Sequence, residues 1–257
     1  MRDDEGYARR FALEHAHYVE DLPFWRAAAR RLGSPVLDLG AASGRVAVPL
    51  ARDGHEVWAL DRSPAMLAEM RRRLAAEDPE VRARVQTVEG DLAALALGRR
   101  FPLVLMAMNT FQVLTEPEDQ LRCLEGIRDH LAPGGELCFD VALPDFGEIA
   151  GSLGVVRQGE RHRDRERGVT VLHSAWYESL DPVTQTLEFT LRIEDRDAEG
   201  GVRTFLRHHR VHLYLPSELR HLLARAGLRV LEVCGDFSGD PVSGGSERQV
   251  YRCGAAA

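Results

Sequence analysis

Three aspartates each close a short apolar run. Asp38 lies in VLDL (36–39), Asp61 ends VWALD (57–61) and Asp91 ends TVEGD (87–91). If the runs are neighbouring parallel strands, the three carboxylates share one edge of a sheet. An acid after the second strand suits a ribose diol, because a carboxylate accepts two hydroxyl hydrogen bonds. An acid after the third can accept from an adenine amino group. Between the first run and a helical pattern lies Gly40-Ala41-Ala42-Ser43-Gly44. Small residues there let the backbone approach a ligand, and the helix beyond offers free N–H groups. Each feature has a bland reading: the loop could serve packing alone, and Asp91 could cap a short turn. Together they outline a nucleotide-binding edge.

Composition narrows the chemistry. All 33 basic side chains are Arg and none is Lys, so neither a Schiff-base lysine nor a P-loop lysine is available. Net charge is −7 with no basic stripe, which disfavours a nucleic-acid partner. There is no run of about 18 apolar residues to cross a membrane, and MRDDEGYARRF is too charged for a signal peptide. Cys123, Cys138, Cys234 and Cys253 are scattered, as reduced core cysteines of a cytoplasmic protein would be. His, Asp and Glu show no metal-ligand spacing, so no metal is expected.

The elements that position these residues alternate. Two helices are expected over 7–32, then strands at 36–39, 56–60, 84–88, 103–108 and 136–141, with helices at 44–52, 64–76 and 117–131 between them. Ser63-Pro64 starts one helix, and Pro133-Gly134-Gly135 follows another. From residue 143 the rhythm becomes four strands joined by turns: 155–163, 169–180, 184–195 and 202–215. A helix over 216–226 and strands at 228–234 and 249–253 return to the main sheet. The fold class is α/β: a doubly wound, seven-stranded Rossmann-like sheet with an antiparallel β insertion before the last helix. The expected domains are 1–142 with 216–257 for the ligand, residues 1–32 forming a helical lid, and 143–215 for substrate or oligomerisation. ERHRDRERG (160–168) is expected to be a solvated hairpin tip.

A dinucleotide fingerprint needs G-x-G-x-x-G. Here Gly40 is followed by Ala42 and Arg45, which disfavours a nicotinamide oxidoreductase. The chain instead resembles class I S-adenosylmethionine-dependent methyltransferases, in VLDLGAASGR (36–45), VWALDRSPAML (57–67), VEGDL (88–92), LVLMAMNTFQVL (103–114) and HLAPGGELCFDV (130–141). The insertion resembles small-molecule enzymes, including amino-sugar N-methyltransferases of natural-product pathways.

The resemblance implies a set of roles. Asp38 with Gly40, Ala41, Ala42, Ser43 and Gly44 would hold the aminocarboxypropyl end of S-adenosyl-L-methionine. Asp61 would take the ribose, Arg62 and Met66 would lie by the adenine, and Asp91 and Leu92 would recognise its amino group and face. Met108 and Asn109 would lie beside the sulfonium. The sequence departs from relatives in having Ala42 where Gly is usual and Val113 where many carry His. A hydroxyl acceptor benefits from a base, whereas an amine need only be neutral. His15, His17, Asn109 and Gln112 are the catalytic candidates; Tyr18, Tyr177, His208, His209, His212 and Tyr214 are further groups of interest. Of these, His208, His212 and Tyr214 share one strand face. The partner would be a small-molecule acceptor, and an edge strand of the insertion could pair two copies. A cofactor-binding protein without catalysis is the alternative that Ala42 and Val113 suggest.

Overall fold

The computed structural model describes residues 4–256. Residues 1–3 and 257, which the expected domain bounds include, lie outside the described residues. In chain order come α1 (Asp4–Glu14), a 3-10 turn (His15–His17), α2 (Leu22–Leu32), β1 (Val36–Leu39), α3 (Ala47–Arg52), β2 (Val57–Asp61), α4 (Pro64–Leu74), α5 (Pro79–Ala83), β3 (Val85–Glu89), β4 (Phe101–Met106), α6 (Pro117–His130) and β5 (Leu131–Ala142). The insertion supplies α7 (Phe146–Gly151), β6 (Arg157–Asp164), β7 (Val169–Asp181), β8 (Thr186–Arg196) and β9 (Val202–His212). The chain then runs through α8 (Pro216–Arg225), β10 (Leu228–Cys234) and β11 (Arg248–Ala255).

The chain forms two compact units, one up to Leu143 and from Tyr214 on, the other Pro144–Leu213. In the first, the seven strands run β10-β11-β5-β4-β1-β2-β3. The strands β1 to β5 pair in parallel, while β11 and β10 close the sheet antiparallel. Burial follows position. The central β1 and β4 are buried throughout except at Pro102, as strands covered on both faces must be. The edge strand β3 is only half-buried. Phe111 stacks on Tyr214 (centroids 4.9 Å apart) and Phe139 on Tyr251 (5.0 Å), which fills the side where α6 and α8 lie.

Several boundaries differ from expectation. The α3 helix starts at Ala47 rather than Gly44, because Gly44 takes φ +79° and spends a turn before the helix. β5 begins at Leu131, since Leu131 already pairs with Phe101 before the Pro-Gly-Gly turn. The short helices α5 and α7 were not expected; at five and six residues they carry too little periodicity to read. The second N-terminal helix is part of the core rather than a cover. Trp25, Ala28 and Ala29 bury one face of α2 in the cluster built on β1, α3 and β4.

The second unit is a four-stranded antiparallel sheet, β6-β7-β8-β9, with a small apolar cluster of Ile149, Leu187 and Leu213. The run 160–168 is not a wholly solvated tip. His162 and Asp164 are buried, because alternate residues of β6 face inward, and Arg167 forms an ion pair with Asp195. His212 is buried while His208 is exposed and bonded to Thr190 Oγ1 at 2.7 Å; His209 stacks on Phe189.

The burial of Trp25 gives a direct test of α2 as core. Trp25→Ala is expected to lower stability by about 3–5 kcal/mol in urea unfolding, whereas a detachable lid would lose almost nothing.

Candidate active site

The strand order reverses between β1 and β4, and the carboxyl ends of those strands are where an open α/β sheet binds ligands. At that point the two chain segments touch. Gly40 has φ +69°, and a Cβ there would lie 2.5 Å from Thr110 Cγ2 in the turn after β4. Gly44, at φ +79°, faces Met70 of α4 just as closely, at 2.7 Å. Only glycine fits either place.

Asp38, Asp61 and Asp91 lie at or just beyond the carboxyl ends of the adjacent parallel strands β1, β2 and β3. Asp38 is 2% exposed, and burial pushes its carboxyl up to about 7, against the pull of Arg45. Its Oδ2 is buried with no hydrogen-bond partner. Asp61 braces the loop: Oδ2 accepts from Ala42 N at 2.8 Å, and Oδ1 accepts from Ser63 N at 2.8 Å. Ala41 N donates to Leu60 O, and the Ser43 carbonyl accepts from Arg73 at 2.8 Å. Ala42 keeps this geometry with φ +47°, a left-handed conformation unusual for Ala. Arg62 is exposed and Met66 buried. Asp91 Oδ1 caps the turn Leu92–Ala94 through Ala93 N at 2.8 Å, and Leu92 packs against the core.

The other candidates are placed differently. Met108 and Asn109 follow β4 and are both left-handed, at φ +57° and +60°. Gln112 is buried, and its Oε1 accepts from Ala142 N at 3.0 Å. His15 packs on Phe11 and its Nδ1 lies 2.9 Å from Phe11 O; His17 is exposed. Val113 is 47% exposed. Tyr214 lies in the core, its hydroxyl donating to Leu114 O.

Sequence reasoning missed a second layer of charge. Asp21, fully buried, accepts from Trp25 Nε1 at 2.7 Å and from both Arg45 terminal nitrogens at 2.6 Å. Arg45 also covers the Tyr18 ring. Arg248 donates to Tyr18 OH at 3.1 Å and stands 3.7 Å from Asp140 Oδ2. Asp140 is fully buried, and burial pushes its carboxyl up to about 6. The available signal was an acid inside the apolar run LCFDVA.

The orphaned Asp38 oxygen, the glycine-lined loop and the backbone-braced Asp61 fit a ligand that brings an ammonium group and a diol, and so fit S-adenosylmethionine. A model of a methyltransferase domain matches residues 36–135. The cypemycin N-terminal methyltransferase of a Streptomyces species is 30% identical over 227 residues, 88% of this chain and 85% of that protein. This chain belongs to the S-adenosylmethionine-dependent methyltransferases.

Solved relatives agree with the assignment. The CcbJ methyltransferase from Streptomyces caelestis is 30% identical and superimposes with a TM-score of 0.75, covering 92% of this chain and 96% of that one. The glycopeptide N-methyltransferase MtfA, solved with S-adenosylhomocysteine, is 26% identical with a TM-score of 0.61, covering 92% and 87%. S-adenosylmethionine is the methyl donor of this methyltransferase. The nicotinamide reading and the non-catalytic reading have no support. Among the described residues, no three His, Cys, Asp or Glu side chains gather as a metal site would need, and no helix is long and apolar enough to cross a membrane.

Two variants of the ligand-free methyltransferase test the electrostatics and strain. The folded-state pKa of Asp38 is raised, so its favourable contribution is present at low pH and is lost as pH rises through about 7. Asp38→Asn is therefore expected to raise the melting temperature more at pH 8 than at pH 4. Ala42→Gly removes a left-handed Ala costing about 1–2 kcal/mol but adds about 0.5–1 kcal/mol of chain entropy, so a rise in stability of up to about 1.5 kcal/mol is expected on denaturant unfolding.

Proposed function

We propose that this methyltransferase modifies an amine nitrogen of a small natural-product molecule. The observation that carries the donor site is the buried Asp38 oxygen without a partner at the switch point of the sheet. In this reading Asp38 and the loop Gly40, Ala41, Ala42, Ser43 and Gly44 hold the amino-acid end of the donor. Asp61 has two acceptor positions left for the ribose hydroxyls once Ala42 and Ser63 are served. Arg62, Met66, Asp91 and Leu92 surround the adenine, and Met108 and Asn109 flank the methyl group.

When bound, the donor supplies an electrophilic methyl carbon on a sulfonium, which an acceptor lone pair takes while the carbon–sulfur pair returns to sulfur. What remains for the protein is alignment and exclusion of water. An amine acceptor suits this site because little around the β4 turn is arranged as a base. Gln112 is a neutral amide that already serves Ala142 N, and Val113 occupies the position that carries His in many relatives. The relatives named for cypemycin and for glycopeptide are N-directed in name, which supports the same choice. His15 and His17 are assigned to the acceptor, with α1 and the turn after it as the cover. Unit 144–213 is assigned to acceptor binding or to oligomerisation. Its outer strands β6 and β9 leave edges that a second copy could extend, so a homodimer is the assembly this reading favours. Four free cysteines accord with a reducing compartment such as the cytoplasm.

Calorimetric titration tests the donor site: S-adenosylhomocysteine is expected to bind in the micromolar range and NADH not at all, with Asp61→Ala weakening the former at least tenfold. A panel of amines and phenols tests the acceptor. Turnover with amines supports the reading, and turnover with phenols alone overturns it. His15→Ala and His17→Ala are expected to lower turnover more than donor affinity.

A further inference from the structure

Two successive residues with side chains hold left-handed backbone at the end of β4, Met108 at φ +57° and Asn109 at φ +60°. Asn tolerates that region; Met does not do so readily. The neighbouring strand supplies the compensation. Asp140, near the end of β5, accepts from Met108 N through Oδ1 at 2.8 Å. That bond holds the first N–H of the left-handed pair from the neighbouring strand.

We propose that Asp140 is a positioning residue for methyl transfer, its carboxylate setting the left-handed turn that presents Met108 and Asn109 to the donor. The side chain is fully buried, yet it has no apolar work to do. Its Oδ2 makes no hydrogen bond and faces Arg248 at 3.7 Å. Arg248 reaches across from β11 and donates to the Tyr18 hydroxyl at 3.1 Å. The turn is thereby tied through Asp140 and Arg248 to the segment between α1 and α2. A burial this costly is retained where the negative charge fixes a geometry that the chain does not adopt unaided.

The inference rests on the reading of Met108 and Asn109 as part of the donor site. Its test is a double-mutant comparison of S-adenosylhomocysteine affinity by calorimetry on the full chain. Asp140→Ala is expected to weaken binding at least tenfold in the native background. In a Met108→Gly/Asn109→Gly background, glycine takes the left-handed turn without a clamp, so the same change should cost less than threefold. A merely structural role would give the same loss in both backgrounds, and that result overturns the proposal, as does unchanged affinity in Asp140→Ala. If Asp140→Ala does not fold, Asp140→Asn, which keeps the volume and one acceptor oxygen, carries the same comparison with a smaller expected loss. Asp38→Ala separates the two levels: loss of binding there without loss at Asp140 defeats this inference alone, whereas no loss at either defeats the donor-site reading with it.

Discussion

Three carboxylates, Asp21, Asp38 and Asp140, are buried at one edge of the main sheet, and taking a charge out of water costs several kcal/mol unless partners replace the solvent. Much of the local architecture answers that demand. Arg45 gives Asp21 a two-pronged ion pair, Trp25 adds its indole N–H, and Arg248 stands by Asp140. Asp38 is the least well served of the three. It has the Ala47 N–H and the distant field of Arg45, but one oxygen has no donor, so burial dominates and its carboxyl rises to about 7. Two of the three buried acids, Asp38 and Asp140, thus each keep one oxygen without a hydrogen bond.

Backbone conformation at this edge follows from the same crowding. The turns after β1 and β4 approach within the reach of one methyl group, at Gly40 and Thr110. Such contact leaves few ordinary conformations, and Gly40, Ala42, Gly44, Met108 and Asn109 all take positive φ. Strain of this kind persists where surrounding bonds over-determine it. Here Asp61 holds Ala42 and Asp140 holds Met108. The two carboxylates thus act as clamps on the backbone at this edge.

The insertion solves a different problem. A four-stranded sheet of about seventy residues has a small apolar cluster, and its inward positions include His162, Asp164, His173, Thr190, Asp195 and His212. Polar groups are retained inside when they are bonded, as Arg167 with Asp195 shows. This polar interior accounts for a charge-rich run such as 160–168 being partly buried, against the simple rule that such runs face water.

What the sequence by itself determined is the order of the elements and the donor. Short apolar runs alternating with capped helices specify a parallel doubly wound sheet, and Asp38, Asp61 and the Gly40–Gly44 loop carry spacing that survives without coordinates, because each sits within a few residues of its own strand end. The shift to β-rich pattern after residue 143 likewise marked the insertion. Tertiary structure decided what depends on contacts between distant segments. Asp140 and Arg248 are 108 positions apart and meet only because β11 inserts antiparallel beside β5. Asp21 finds Arg45 from the other side of α2 and β1, and Gly40 finds Thr110 across the reversal in strand order. Local pattern encodes which way a strand runs and which face is apolar. It does not encode which side chains from other strands will share the edge, because that is fixed by sheet order, and sheet order is settled by packing of the whole.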